Sequence, residues 1–313
     1  MKKIILAASA VIALAACQQV NYDKAPSGMV YKIFPGKGGD SVKVGGFVKY
    51  NVEFVLTGRT GKPDSLLQST YGKVPGFGQV DTGVRAAYSI LEILPKLRAG
   101  DSATTVLSVD TLKKKNMINP QDSIVFTNGS SILCKVKVLQ AFKKQEDVMA
   151  DYQKEMDLEN VRETKSIEDY MAQKGIKGIK TKSGAYVSIE TPGDQNMKAD
   201  SGKIAYVKYK GYMQSDGKVF DTNMDSTKGH TEAYPVTVGT HGVIQGWDEA
   251  LPYFGNGGKG KILVPSFLGY GPQGSGQIPG FANLVFDIEV VNVTVAPPAA
   301  KNGQMPMQLP QGH

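Results

Sequence analysis

The stretch Val243-Ile244-Gln245-Gly246-Trp247-Asp248-Glu249-Ala250-Leu251, stopped by Pro252, reads as one short helix. Around it lie five strand-like runs: Ala185–Ile189, Lys203–Lys210, Tyr234–Val238, Lys259–Val264 and Leu284–Val293. In the last, Leu284, Phe286, Ile288 and Val290 share one face, and Asp287 and Glu289 share the other. A fold of the α+β class follows: a half-open antiparallel β-sheet wrapped on a short helix.

The same body is written twice. Ser27-Gly28-Met29-Val30-Tyr31-Lys32-Ile33 resembles Ser183-Gly184-Ala185-Tyr186-Val187-Ser188-Ile189 at an offset of 156 residues. At an offset of 157, Pro35-Gly36 matches Pro192-Gly193, Asp64-Ser65 matches Asp221-Thr222, and Leu94-Pro95 matches Leu251-Pro252. Each copy closes on an alternating strand, Ile132–Val138 and Leu284–Val290. A near-constant offset predicts two copies of one fold, at residues 25–143 and 176–294.

Residues 144–175 read as a helical linker. No glycine or proline interrupts them before Gly175, and Glu, Asp, Lys and Met are dense. Apolar residues are sparse from Val148 to Val161 and return at Ile167, Tyr170 and Met171, so the second half is expected to dock on a domain. No sustained heptad marks a coiled coil. Residues 295–313 are rich in Pro, Gln and Gly and read as a disordered tail.

Lys2 and Lys3 open a secretory signal over residues 1–16, whose apolar run Ile4–Ala16 is too short to span a bilayer comfortably. It ends Leu14-Ala15-Ala16-Cys17, which resembles the lipobox of bacterial lipoproteins. That resemblance implies cleavage before Cys17, a lipid on its sulfur, and a tether over residues 17–24. The protein is then expected on a membrane of the bacterial cell envelope, facing the periplasm or the surface. The second cysteine, Cys134, shares a strand face with Ile132, Val136 and Val138, so it is expected buried and inert. Lipidation of Cys17 leaves no intramolecular disulfide.

With 41% hydrophobic and 21% charged residues in 313, the chain has the composition of a globular protein. Its formal charge is +7, or +5 once Lys2 and Lys3 are removed. The lysines are dispersed along the sequence without interleaved aromatics, which argues against nucleic acid as a partner.

The C-terminal copy carries an ordered set of motifs. They run Val207-Lys208-Tyr209-Lys210-Gly211, Asp216-Gly217-Lys218-Val219-Phe220-Asp221-Thr222, Val243-Ile244-Gln245-Gly246-Trp247 and Val264-Pro265. Gly269-Tyr270-Gly271, Gln277-Ile278-Pro279 and Asn283-Leu284-Val285-Phe286-Asp287-Ile288-Glu289 follow. In order and spacing this set resembles the FKBP family of peptidyl-prolyl cis–trans isomerases, over roughly Thr181 to Thr294. The resemblance implies an apolar pocket floored by Trp247, with Tyr209, Phe220, Tyr234, Val243, Ile244, Ile278 and Phe286 as walls. It also implies that the Ile244 amide and the Tyr270 hydroxyl bind substrate carbonyls, with Asp221 at the rim. Two departures from the family stand out. The loop Gly271-Pro272-Gln273-Gly274-Ser275-Gly276 is short and lacks a histidine, and Gly255-Asn256-Gly257-Gly258 replaces a tighter turn.

The N-terminal copy keeps the scaffold and loses the pocket. At the shared offset Ile90 stands for Trp247 and Ala87 for Ile244, strand alignment places Cys134 for Phe286, and Pro63 stands for Phe220. A degenerate domain without isomerase activity is expected. Other chemistry finds no support. Gly255, Gly260 and Lys261 lack the Ser or Thr of a phosphate loop, the three histidines have no ligand spacing, and no Gly-x-Ser-x-Gly elbow exists. Neither a metal nor a cofactor is called for.

Three functions remain in play. The first is an isomerase acting on proline-containing clients during folding of envelope or secreted proteins. The others are a non-catalytic chaperone or peptide-binding lipoprotein, and a scaffold subunit of an envelope assembly.

Overall fold

The structure is a computed structural model that describes residues 21–81, 87–119, 122, 124–228 and 230–295. The expected signal, Cys17, and the tail beyond Val295 lie outside the described residues. The chain divides into two compact units, up to Met156 and from Asp157.

The first unit contains β1 (Asp23–Lys24), β2 (Val30–Phe34), β3 (Phe47–Thr57), β4 (Ser65–Ser69) and β5 (Gly76–Gln79). β6 (Ser102–Ser108), the short helix α1 (Val109–Lys114) and β7 (Ser131–Phe142) complete it. All strand pairs are antiparallel, in the order β1-β2-β6-β7-β3-β4, with β5 also on β3. Alternation sets the buried face: Val48, Val52 and Leu56 of β3 meet Ile132, Cys134, Val136 and Val138 of β7 in one core. Burial pushes the Cys134 thiol up to about 12, which keeps it protonated and unreactive.

The helix α2 (Gln145–Lys174) runs from the first unit into the second. The second unit then contains β8 (Ile179–Lys180), β9 (Tyr186–Thr191), β10 (Asp194–Lys198), β11 (Lys203–Met213) and β12 (Val219–Thr222). β13 (Tyr234–Thr237), helix α3 (Gln245–Ala250), β14 (Gly255–Asn256), β15 (Lys259–Val264) and β16 (Leu284–Val295) follow. Its main sheet runs β8-β9-β15-β16-β11-β12 with β13 also on β11, which is the topology of the first unit repeated. The register irregularities recur too. β3 slips at Lys49/Tyr50 and Phe54/Val55, and β11 slips at the matching Tyr206/Val207 and Gly211/Tyr212. Such bulges re-aim the strand at the same two places in both copies. The unusual Gly255-Asn256 turn has a structural role, since it pairs with β10 as a separate two-stranded ribbon.

Both faces of the second sheet are covered. Leu284, Phe286, Ile288 and Val290 of β16 pack in one core with Trp247 and Ala250 of α3. On the opposite face, Val285, Leu263 and Tyr186 receive Ile167 and Met171 of α2. Farther along that face the charges pair directly across the ladder, Lys261 with Asp287 at 2.5 Å and Lys259 with Glu289 at 3.0 Å. The α+β class and the antiparallel sheets expected from the sequence are therefore present.

Each half of α2 is built into the unit beside it. In the first unit, the Lys49 ammonium donates to Asp151 and Glu155 at 2.6 and 2.7 Å, and Tyr152 meets Phe77 edge-on at 5.5 Å. In the second, the buried Glu163 carboxylate accepts from the Ser266 hydroxyl at 2.5 Å, and the Asn283 amide donates to the Glu163 carbonyl at 3.1 Å. Burial raises the Glu163 pKa, and the Ser266 donation opposes that rise.

Two consequences can be measured. Ile167 is fully buried, so Ile167→Ala should destabilise the second unit by about 2–5 kcal/mol. Denaturant unfolding followed through Trp247, the single tryptophan, reads that unit directly. The second concerns Glu249 on α3, which accepts from the Thr181 hydroxyl, the Ser183 amide and the Gln245 side chain. Burial alone would raise its pKa, but these bonds outweigh it and hold the group at about 2, below its usual 4.5. A depressed carboxylate stabilises above its unfolded value, so this contribution is lost as pH falls from 4.5 towards 2. Glu249→Gln should flatten the stability profile in that window, as measured by thermal unfolding across acid pH.

Candidate functional site

Trp247 enters the site from the first turns of α3, and Gly246 beside it sets how closely that helix approaches β15. A Cβ at Gly246 would lie 2.6 Å from a Val264 methyl, so any larger residue would lift the helix off the sheet. The indole is only 4% exposed, yet it floors an open cleft of about 540 Å³. Tyr209 and Phe286 each meet it edge-on, with ring centroids 5.2 Å away and planes at 83°. Phe220 in turn stands edge-on to Phe286 at 5.7 Å. Edge-to-face packing of this kind is favoured by the ring quadrupoles.

These rings fit because β11 has no side chain at Gly211. A Cβ there would lie 2.7 Å from Phe220 and 2.9 Å from Phe286. Gly211 pairs with Phe286 across the ladder, as Phe54 pairs with Cys134 in the first unit. A bulky ring and a small thiol have thus changed places with no side chain and a bulky ring. Phe54 packs against the first unit's core at the position where the second unit has no side chain.

One rim of the cleft is the loop before α3, comprising His241, Gly242, Val243 and Ile244. The buried Asp248 carboxylate holds this loop, accepting from the Gly239 amide at 3.0 Å and the His241 amide at 2.7 Å. Ile244 caps α3 with its carbonyl, and its own N–H has no partner among the described residues. The facing rim carries Asp221, Tyr234 and Tyr270. The Tyr209 hydroxyl donates to Asp221 at 2.5 Å. Burial, followed by this contact, raises the Tyr209 pKa, and burial with the nearby Asp221 raises that of Tyr270. Both phenols stay protonated donors at neutral pH. The Tyr270 hydroxyl has no hydrogen-bond partner among the described residues, so it is free to donate into the cleft.

The Trp247 indole N–H is also buried without a partner among the described residues. An unpaired buried donor costs about 1–3 kcal/mol, a strain found at functional positions.

Of the ten pocket residues expected from sequence, nine line this cleft. Ile278 does not. It is buried in the core, and its backbone makes reciprocal bonds with Ser275 at 2.9 Å. Three residues had no role assigned from sequence. His241 lies on the rim, and Asp248 clamps it. Asn223 is buried between β11 and the following loop, accepting from the Tyr209 amide at 2.6 Å and donating to the Val207 and Glu232 carbonyls at 3.0 and 2.9 Å. Asn223 thereby fixes the segment that leads to Tyr234. Its position next to Asp221-Thr222 in the chain was the available signal. Larger hollows lie beside Arg98 and Phe142 and along α2 at Tyr170, but neither has an aromatic floor.

Residues 195–291 match the family model described as FKBP-type peptidyl-prolyl cis-trans isomerase, and residues 1–18 match the prokaryotic membrane lipoprotein lipid attachment site. The chain is similar to the FKBP-type peptidyl-prolyl cis-trans isomerase FkpA of Escherichia coli K12, with 34% identity over 165 residues, 52% of this chain and 57% of that protein. It is similar to mouse peptidyl-prolyl cis-trans isomerase FKBP14, with 35% identity over 111 residues, 35% of this chain and 51% of that protein. Among solved structures it resembles a peptidyl-prolyl cis-trans isomerase from Pseudomonas syringae pv. tomato, at 29% identity and a TM-score of 0.36, covering 44% of this chain and 95% of that one. The chain spans about half the length of these two curated relatives. The motifs, the aromatic cleft and the family match converge on the same residues: the C-terminal domain, over residues 195–291, matches the FKBP-type peptidyl-prolyl cis-trans isomerase family.

Proposed function

We propose that the chain is a lipid-anchored envelope isomerase that turns X-Pro bonds of folding clients within the Trp247 cleft. The observation that carries this reading is an open apolar cleft with two unsatisfied donors on its rims, the Ile244 amide and the Tyr270 hydroxyl. Prolyl isomerisation breaks no covalent bond. Its barrier of about 18–20 kcal/mol is the loss of amide conjugation on twisting. An apolar surround disfavours the charge-separated planar amide relative to the twisted one. In this reading the proline ring rests on Trp247 between Tyr209, Phe220 and Phe286. Val243, Ile244 and Tyr234 flank the peptide. The two rim donors take its carbonyls and favour a turn near the twisted geometry, which is differential binding of the transition state. Asp221 holds the Tyr209 ring in place through the phenol, and no proton needs to move.

The N-terminal domain is, in the same proposal, a degenerate copy. Phe54 fills the space above its sheet, and two short 3₁₀ turns, Ile90–Glu92 and Leu94–Lys96, stand where α3 would be. The lipid on Cys17 would hold the protein at the membrane where exported chains fold.

A refolding assay limited by a prolyl bond, run on the full chain, tests the site. Trp247→Ala should lower kcat/KM by at least about tenfold, consistent with loss of about 1.4 kcal/mol or more of transition-state binding. Tyr270→Phe should lower it severalfold, through the lost hydroxyl alone. Equal rates for wild type and Trp247→Ala would remove the assignment of catalysis to the Trp247 cleft. Gly211→Ala should likewise lower kcat/KM, because the added methyl displaces Phe220 and Phe286. Circular dichroism separates that effect from unfolding.

A further inference from the structure

Ile167 and Met171 bury against the second sheet and give the C-terminal half of α2 an apolar hold on it. One turn before Ile167 the same face of the helix turns polar. Glu163 is buried there, its carboxylate accepting from the Ser266 hydroxyl at 2.5 Å and from the Phe267 amide at 3.4 Å. Arg162 pairs with Glu159, and no ion pair reaches Glu163 among the described residues. A carboxylate buried on neutral donors alone is a costly way to hold a helix that apolar contacts already hold. A satisfied buried polar group of this kind imposes one geometry on the segments it joins.

The geometry it imposes belongs to the segment before Tyr270. Asn283 completes the cluster, its side chain donating to the Glu163 carbonyl at 3.1 Å and to the Gln214 side-chain oxygen at 3.2 Å. The Asn283 side-chain oxygen also accepts from the Ser266 amide, at 3.3 Å. Gln214 closes back onto α2 by donating to the Ser166 carbonyl at 2.8 Å. Ser266 thus has both its hydroxyl and its amide held. It opens a single 3₁₀ turn, Ser266–Leu268, which the Gly269 amide closes on the Ser266 carbonyl at 2.9 Å. Tyr270 comes next and stands on the cleft rim.

The first unit is built differently here. Val264 pairs with Leu284 as Leu107 pairs with Ile132, so Val109 stands at the position of Ser266 and Ser131 at that of Asn283. Val109 is fully buried and apolar, and its amide bonds to the Ser130 carbonyl at 3.0 Å. The serine bound to a carboxylate therefore occurs in the copy that has the aromatic cleft.

We infer that Glu163 is a positioning residue for isomerisation: from α2 it clamps the turn at Ser266 and so sets where the Tyr270 hydroxyl stands over the cleft. The inference rests on the reading of Tyr270 as a donor to substrate. The tyrosine ring acts as a lever, so a small rotation of the turn is magnified at its hydroxyl, and a misplaced donor costs rate without costing the fold. On this account the second half of α2 is part of the catalytic unit and not a spacer.

Isomerisation of an X-Pro peptide by the full chain tests this in a double-mutant cycle with Tyr270→Phe. Glu163→Ala should lower kcat/KM severalfold, about as far as Tyr270→Phe, and mainly through kcat. The two combined should cost no more than Tyr270→Phe alone, because the clamp then has no hydroxyl left to place. Glu163→Gln keeps an oxygen for the Ser266 hydroxyl and should recover most of the rate. Ile167→Ala, which loosens the same helix through packing alone, should leave kcat/KM of the folded protein near the wild-type value. Circular dichroism and Trp247 fluorescence establish that each variant is folded. Should Glu163→Ala not fold, Ser266→Ala removes the same bond from the other side and takes its place in the cycle. A folded Glu163→Ala with the wild-type rate, an equal fall in both backgrounds, or an equal loss in Ile167→Ala would each overturn the inference while leaving the cleft assignment intact. A Tyr270→Phe variant as fast as wild type would instead refute the role of Tyr270, and the inference with it.

Discussion

Trp247 floors a binding cleft whose aromatic walls close over Gly211, a position with no side chain. Two rings, Phe220 and Phe286, lean over that position at distances that no Cβ could share, and Phe286 and Tyr209 then present their edges to the indole. The result is an aromatic cup whose walls support one another while its mouth stays open. The remainder of the domain serves this arrangement. Asp248 fixes the loop before α3, Asn223 fixes the loop after β12, and Glu163 of α2 holds Ser266 in the segment that leads to Tyr270. Buried polar groups with all partners satisfied are the usual means of giving a loop one conformation.

The two units show how little must change for a fold to gain or lose a pocket. Strand order, antiparallel pairing and both bulges of the long central strand are shared. The exchange of Gly211 and Phe286 for Phe54 and Cys134 converts a cup into a packed core. Function here lives in side chains set on a common frame.

Strand alternation and repeat offset were legible because they follow from burial on one face of a sheet, which leaves a period of two in the sequence. The cleft's lining overlaps the ordered motifs, nine of whose named residues sit around it. What escaped notice was polar or local. The first half of α2 docks through Lys49, Asp151 and Glu155, an ionic contact that apolar periodicity does not register. Ile278 carries the right chemistry for a wall but is buried in the core, and no pattern of residue types separates the two places. Asp248 and Asn223 act through backbone amides far from one another in sequence, so their partners emerge only with the fold.

The central claim is that the Trp247 cup lowers the barrier to rotation about a prolyl bond. Exchange spectroscopy by NMR on a short peptide with one X-Pro bond, with the full chain added in catalytic amount, tests this without any coupled reaction. The account predicts cis–trans exchange brought from tens or hundreds of seconds into the range of the mixing time, with chemical-shift changes in the indole resonance of Trp247. Exchange that stays at the uncatalysed rate while the peptide visibly occupies the cup would contradict it.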